Sequence, residues 1–184
     1  MCQVLILGLA TLVGTSACSS HMRPRAVPAT QSYRLAATIQ DLMAGQIDPS
    51  ADALWDSVAI IQSSSGTEDR HPRTAAEWQA VRGRAVTLIE AGNLLRMPGR
   101  RARSGDTPPG PGELSAAEIQ QRIDVNHDNF VQFADVLQDA GFKALAAIDA
   151  RNAQALMDAG GIIDEACEAC HVTYWYPNQS RPGT

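Results

Sequence analysis

The sequence predicts an all-α fold, an antiparallel four-helix bundle, and three observations carry that prediction. Alanine is abundant while Tyr and Phe number three each, a balance that favours helices over sheets. Four stretches repeat apolar residues with the period of an α-helix. Two of them open on the same device, Thr or Ser followed three residues later by Glu. At 184 residues, 45% hydrophobic and 19% charged, the chain has room for one ordinary domain with a full core. Its formal net charge of -5 supplies no basic excess for nucleic acid.

The N-terminus reads as an export segment. Residues 4–14 are VLILGLATLVG, an apolar run too short to span a bilayer. Small residues follow, then Cys18, in the order of a secretory segment and its cleavage site. The stretch TSAC is similar to a bacterial lipobox, which makes Cys18 the candidate lipid acceptor. The expected organisation is a signal peptide over 1–18, a flexible tether over 19–31 rich in Pro and Arg, a helical domain over 32–177 and a tail over 178–184. Location in the periplasm follows, with membrane attachment only through a lipid on Cys18.

The first helix is expected from Ser32, on the stripe Leu35, Ile39, Leu42, Met43 and Ile47. Asp48-Pro49 should break it, with Asp48 capping a renewed helix and Pro49 at its first position. Leu54, Trp55, Val58 and Ile61 extend the apolar face before a loop, SSSGTEDRHPR. Helix two opens on Thr74-Ala-Ala-Glu77, runs through Trp78, Val81, Ala85, Leu88, Ile89 and Leu95, and ends at Pro98-Gly99. The segment GRRARSGDTPPGPGE that follows is dense in Gly, Pro and charge, and reads as a long loop. Helix three opens on Ser115-Ala-Ala-Glu118 and keeps its beat from Ile119 to Ile148, with Gly141 inside it. Ala150-Arg151-Asn152 makes the last connection, with Asn152 as cap. Helix four carries Leu156, Gly160, Ile163, Cys167, Cys170 and Tyr174 on one face and stops before Pro177.

Chemistry concentrates in Cys167-Glu168-Ala169-Cys170-His171. This is C-x-x-C-H, the attachment signature of a c-type haem. Residues three apart share one helix face, so both sulfurs can bond the two vinyl groups of one macrocycle. The next residue, His171, can then present its imidazole to the iron. A redox dithiol or half of a zinc site are the rival readings. The first belongs at a strand-to-helix turn, and the sequence shows no strand pattern; the second needs a further ligand pair, and there is none.

These features together resemble the cytochrome c′ and cytochrome c-556 family: a C-terminal CEACH, Tyr174 three residues after it, and Tyr33, Arg34, Leu42 and Met43 in the first helix. The resemblance spans roughly residues 32–177. It implies one covalent haem c, electron exchange with redox partner proteins rather than enzymatic turnover, and homodimers paired through the first two helices. It also implies that the first helix supplies the residue over the distal haem face. A Met there gives a six-coordinate iron suited to electron transfer; a Leu or Phe leaves the face open to nitric oxide or carbon monoxide. Met43 is the candidate distal ligand, with packing as its plainer role, and Leu42 or Ile39 would cover the ring beside it.

Other candidates are weaker. His71 reads as an exposed loop residue, His127 as a polar group of helix three, and His21 lies in the tether. Met97 and Met157 read as packing residues. Trp175 and Tyr176 should pack at the haem edge. Arg100, Arg101 and Arg103 form a basic cluster in the long loop, solvated or paired with haem propionates or an acidic partner.

Overall fold

The structure is a computed structural model that describes residues 33–105 and 108–178. The expected signal peptide, Cys18, the tether with His21 and the end of the tail lie outside these residues. Among the described residues the chain is mostly helical, with one small two-stranded sheet. In order, the elements are α1 (Ile39–Leu42), a π-helical turn (Met43–Ile47), α2 (Asp48–Asp56), β1 (Ala59–Ser63), β2 (Gly66–Arg70), α3 (Ala75–Leu95), α4 (Ala116–Val125), α5 (His127–Asp149) and α6 (Ala153–Tyr174).

Capping chemistry decides where most helices begin. Thr74 and Ser115 make the reciprocal boxes expected of them, with Glu77 and Glu118 returning to the cap backbone. Asn152 caps α6 by accepting from the Ala155 amide. Each such cap contributes about 1 kcal/mol. A third box, Thr38 with Asp41, starts the first helix at Ile39 rather than at Ser32. The first amides of α1 also find acceptors across the fold: Ile39 N–H donates to Arg101 O at 2.9 Å and Gln40 N–H to Ala102 O at 3.0 Å.

Three expectations are corrected. Pro49 does stand in the first turn of a renewed helix, α2, but Asp48 makes no side-chain cap and the backbone stays helical on the way into it. A proline inside an α-helix leaves the carbonyl four residues back without its donor and collides with it. The chain instead widens by one residue just before Pro49, and the Asp48 amide donates five residues back, to Met43 O. The buried stripe records this step, passing from Leu42 directly to Ile47. Second, the apolar helical face expected to continue to Ile61 and the first part of the loop expected from Ser63 form an antiparallel hairpin, with Ile60 opposite Asp69 and Gln62 opposite Thr67. Its second strand is exposed throughout, so no alternation of apolar and polar residues marked it. Third, the third helix is two. Asn126 leaves helical geometry at φ -141° and caps α5 by accepting from the Asn129 amide at 3.3 Å.

Helix α3 packs along α5, α5 along α6, and α2 against α3 and α6. Ile39, Leu54, Leu88, Ile119, Leu156 and Ile163 are fully buried, each stabilising the fold by about 1.5–3 kcal/mol relative to an exposed side chain. The α3–α5 crossing is close because Gly92 and Gly141 lack side chains. A Cβ on Gly92 would stand 2.3 Å from Gln138 Cγ, and one on Gly141 would stand 2.7 Å from Ile89 Cγ1. Gln138 uses that proximity to donate to Ile89 O at 2.9 Å. Across α2 and α6, the Trp55 indole donates to Gly160 O at 3.0 Å.

The long loop is tied down at both ends. Arg100 and Arg103 are buried and only Arg101 is exposed, so of the three arginines expected as a solvated or partner-binding cluster only one faces solvent. The Arg100 guanidinium donates to Leu94 O at 2.7 Å, to Ala37 O, and to Met97 Sδ at 3.3 Å. Arg103 pairs with Glu113 at 3.3 Å. At the far end Leu114 N–H donates to Trp175 O at 2.9 Å.

Candidate functional site

The end of α6 holds the candidate residues, because i, i+3 spacing on a helix sets Cys167 and Cys170 on one face and His171 one step round. All three line a single cleft. The first helical run contributes Met43, Ile47 and Asp48 to the same lining. Leu95 comes from α3, and Phe130, Phe133, Ala134 and Leu137 from α5. The lining is apolar apart from the two thiols, the imidazole and the exposed Asp48 carboxylate.

Both cysteines are free thiols. Burial pushes Cys167 up to about 11, with the nearby Asp48 and Asp164 carboxylates adding to the effect. Burial pushes Cys170 up to about 12, helped by Cys167 itself. A reactive dithiol needs the opposite, a thiolate favoured by positive charge or a helix N-terminus. These thiols sit near a helix C-terminus, among apolar side chains and carboxylates. For zinc, among the described residues no group of three His, Cys, Asp or Glu side chains is arranged to hold a metal ion, although two thiols, an imidazole and a carboxylate share the cleft lining.

The aromatic residues fix the floor and the edge. Tyr174 is buried and accepts from Asn129 Nδ2 at 3.0 Å. Its ring meets Phe130 edge-on at 5.5 Å and Phe133 at 5.9 Å, the favoured geometry for aromatic pairs. The two phenyl rings on the cleft are therefore held from behind. Trp175 and Tyr176 stand beside the imidazole, with centroids 6.3 and 6.5 Å from it. Both their backbone amides donate to His171 O at 2.8 Å, so the turn that ends α6 wraps the histidine.

Of the expected site residues, Cys167, Cys170, His171 and Met43 come together. Leu42 and Ile39 do not: both are fully buried in the core and neither lines the cleft. Phe130, Phe133 and Leu95 take that place. They stood on apolar stripes in the sequence, yet nothing local separates a stripe residue facing a cleft from one facing another helix. Asp48, expected as a helix cap, directly follows the π-helical turn and lines the cleft. His71 lies against Asp69 at 3.3 Å, after the hairpin. His127 opens α5 beside Phe130, with ring centroids 6.5 Å apart. Met97 accepts from Arg100, and Met157 lies in a separate groove with Trp55.

Compared with protein-family models, curated proteins and solved structures, the chain matches none.

Proposed function

We propose that this chain is an exported c-type monohaem cytochrome that carries single electrons between partner proteins. The α1–α2 run, α3, α5 and α6 would form its antiparallel four-helix bundle, with α4 and the hairpin as additions. The observation that carries this reading is the convergence of Cys167, Cys170, His171 and Met43 on one apolar cleft.

The donor set fits the group. Two thiols on one helix face would hold a porphyrin by thioether bonds, and His171 would ligate its iron from the same helix. Met43, which shares the cleft lining, would supply a second ligand to the iron. A haem with His and Met ligands supplies reversible one-electron chemistry at a raised potential. The chain's own part is to exclude water and hold both ligands still. Phe130, Phe133, Leu95 and Leu137 do the first. The Tyr174 bracket and the amides on His171 O do the second on the α6 side.

Visible spectra of the matured protein, with and without carbon monoxide, test the reading. A mass increased by one haem, a low-spin spectrum and indifference to carbon monoxide are expected. Met43→Ala should then give a high-spin ferrous form that binds carbon monoxide. A wild-type protein that binds it already would point to an open-faced, gas-binding cytochrome, and a polypeptide that takes up no haem would end the proposal.

A further inference from the structure

We propose that Arg100 is a positioning residue for Met43, pinning the entry to α1 against the end of α3 and so holding the methionine on the cleft. The inference rests on the reading of Met43 as an axial ligand.

Arg100 is buried, at 8% exposure, and among the described residues no carboxylate pairs with it. An isolated buried charge is costly unless hydrogen bonds satisfy it. Its guanidinium reaches Leu94 O, the Met97 thioether and Ala37 O. Leu94 precedes Leu95, which lines the cleft from α3, and Ala37 lies six residues before Met43. One planar fork thus ties the end of α3 to the segment entering α1, the two runs that bring Leu95 and Met43 to the cleft. Lysine, a point donor on a flexible stem, cannot bridge acceptors spread in this way.

The π-helical turn explains why such a pin is needed. It holds one residue more than an α-helical turn, and that surplus can slide along a helix. A slide by one residue rotates the side chains it passes by about 100°, enough to turn Met43 off the cleft. Toward the C-terminus the slide is blocked by Pro49, which has no amide to donate. Toward the N-terminus there are only the four residues of α1. Their restraints are the Thr38 cap, the amides of Ile39 and Gln40 on Arg101 O and Ala102 O, and the Arg100 bond to Ala37 O. Two of those acceptors directly follow Arg100 in the chain. Removing the arginine frees the loop and the start of α1 together.

The test uses the haem-loaded full chain in four forms: wild type, Met43→Ala, Arg100→Met and Arg100→Lys. Both Arg100 variants should keep one haem by mass and their helical circular dichroism. Their ferric spectra should gain a high-spin component, and their ferrous forms should bind carbon monoxide, the bound fraction at fixed gas pressure rising about tenfold or more. A purely structural arginine would lower the melting temperature and leave spin state and gas binding alone. If Met43→Ala converts the spectrum while both Arg100 variants stay low-spin and refuse carbon monoxide, the proposal is overturned. A high-spin, gas-binding wild type would overturn Met43 ligation itself, and this inference with it; that result is read before any Arg100 variant. Arg100→Lys, which retains the charge, keeps the experiment decisive should Arg100→Met not fold.

Discussion

Burial of Cys167 and Cys170 makes both thiols poor acids, at about 11 and about 12 against an ordinary 9.0. At pH 8 the haem-free chain should therefore hold about 100-fold less thiolate at Cys167 and about 1000-fold less at Cys170 than an unburied cysteine would. Alkylation rates followed by peptide mass would show it: slow at pH 8 and rising tenfold per pH unit. Rates equal to those of a free thiol would mean that the cleft is open to water. The same shifts tie stability to pH. The unfolded chain loses these protons first, so their contribution to the fold is full below pH 9 and is lost as pH climbs toward 11 and 12. Residue identity alone revealed the CEACH motif, because its spacing is its chemistry. It did not reveal that Arg100 and Arg103 are buried. A guanidinium in a Gly- and Pro-rich loop looks solvated until the carbonyls it serves are known.

At the scale of elements, the α3–α5 crossing depends on a missing side chain. Gly92→Ala would drive a methyl group into Gln138 and displace the amide that donates to Ile89 O. Overpacking of this kind costs about 1–3 kcal/mol, more than the helix propensity that alanine restores. A lowered melting temperature is expected, and Gln138→Ala should recover most of it in the double variant; a double variant as unstable as the single would refute the clash. Helix starts were largely legible, since Thr74, Ser115 and Asn152 cap as their side chains require. Thr38-x-x-Asp41 carries the same signal, but the apolar stripe extends back past it to Leu35 and masks the start. The π-helical turn and the split at Asn126 were not legible. In both places apolar spacing continues across the irregularity, Met43 to Ile47 and Ile123 to Phe130, so periodicity could not mark it. The hairpin was hidden for a different reason. Its strands bury too little for alternation to be under pressure.

For the molecule as a whole, mostly helical architecture followed from composition and period, whereas the company of residues around the cleft did not. Met43 and His171 are 128 positions apart in the chain, and only tertiary packing brings them to one space. The loop between α3 and α4 bears on that packing twice. Arg100 fastens its beginning to the entry of α1, and Leu114 fastens its end to the backbone just beyond α6. The stretch between these anchors includes the exposed Pro109 and Gly110. A single proteolytic cut there should leave two polypeptides that stay associated and elute as one species under native conditions, parting only in denaturant. Fragments expressed separately from that point would then be able to find each other, one bringing the methionine and the other the thiols and the histidine.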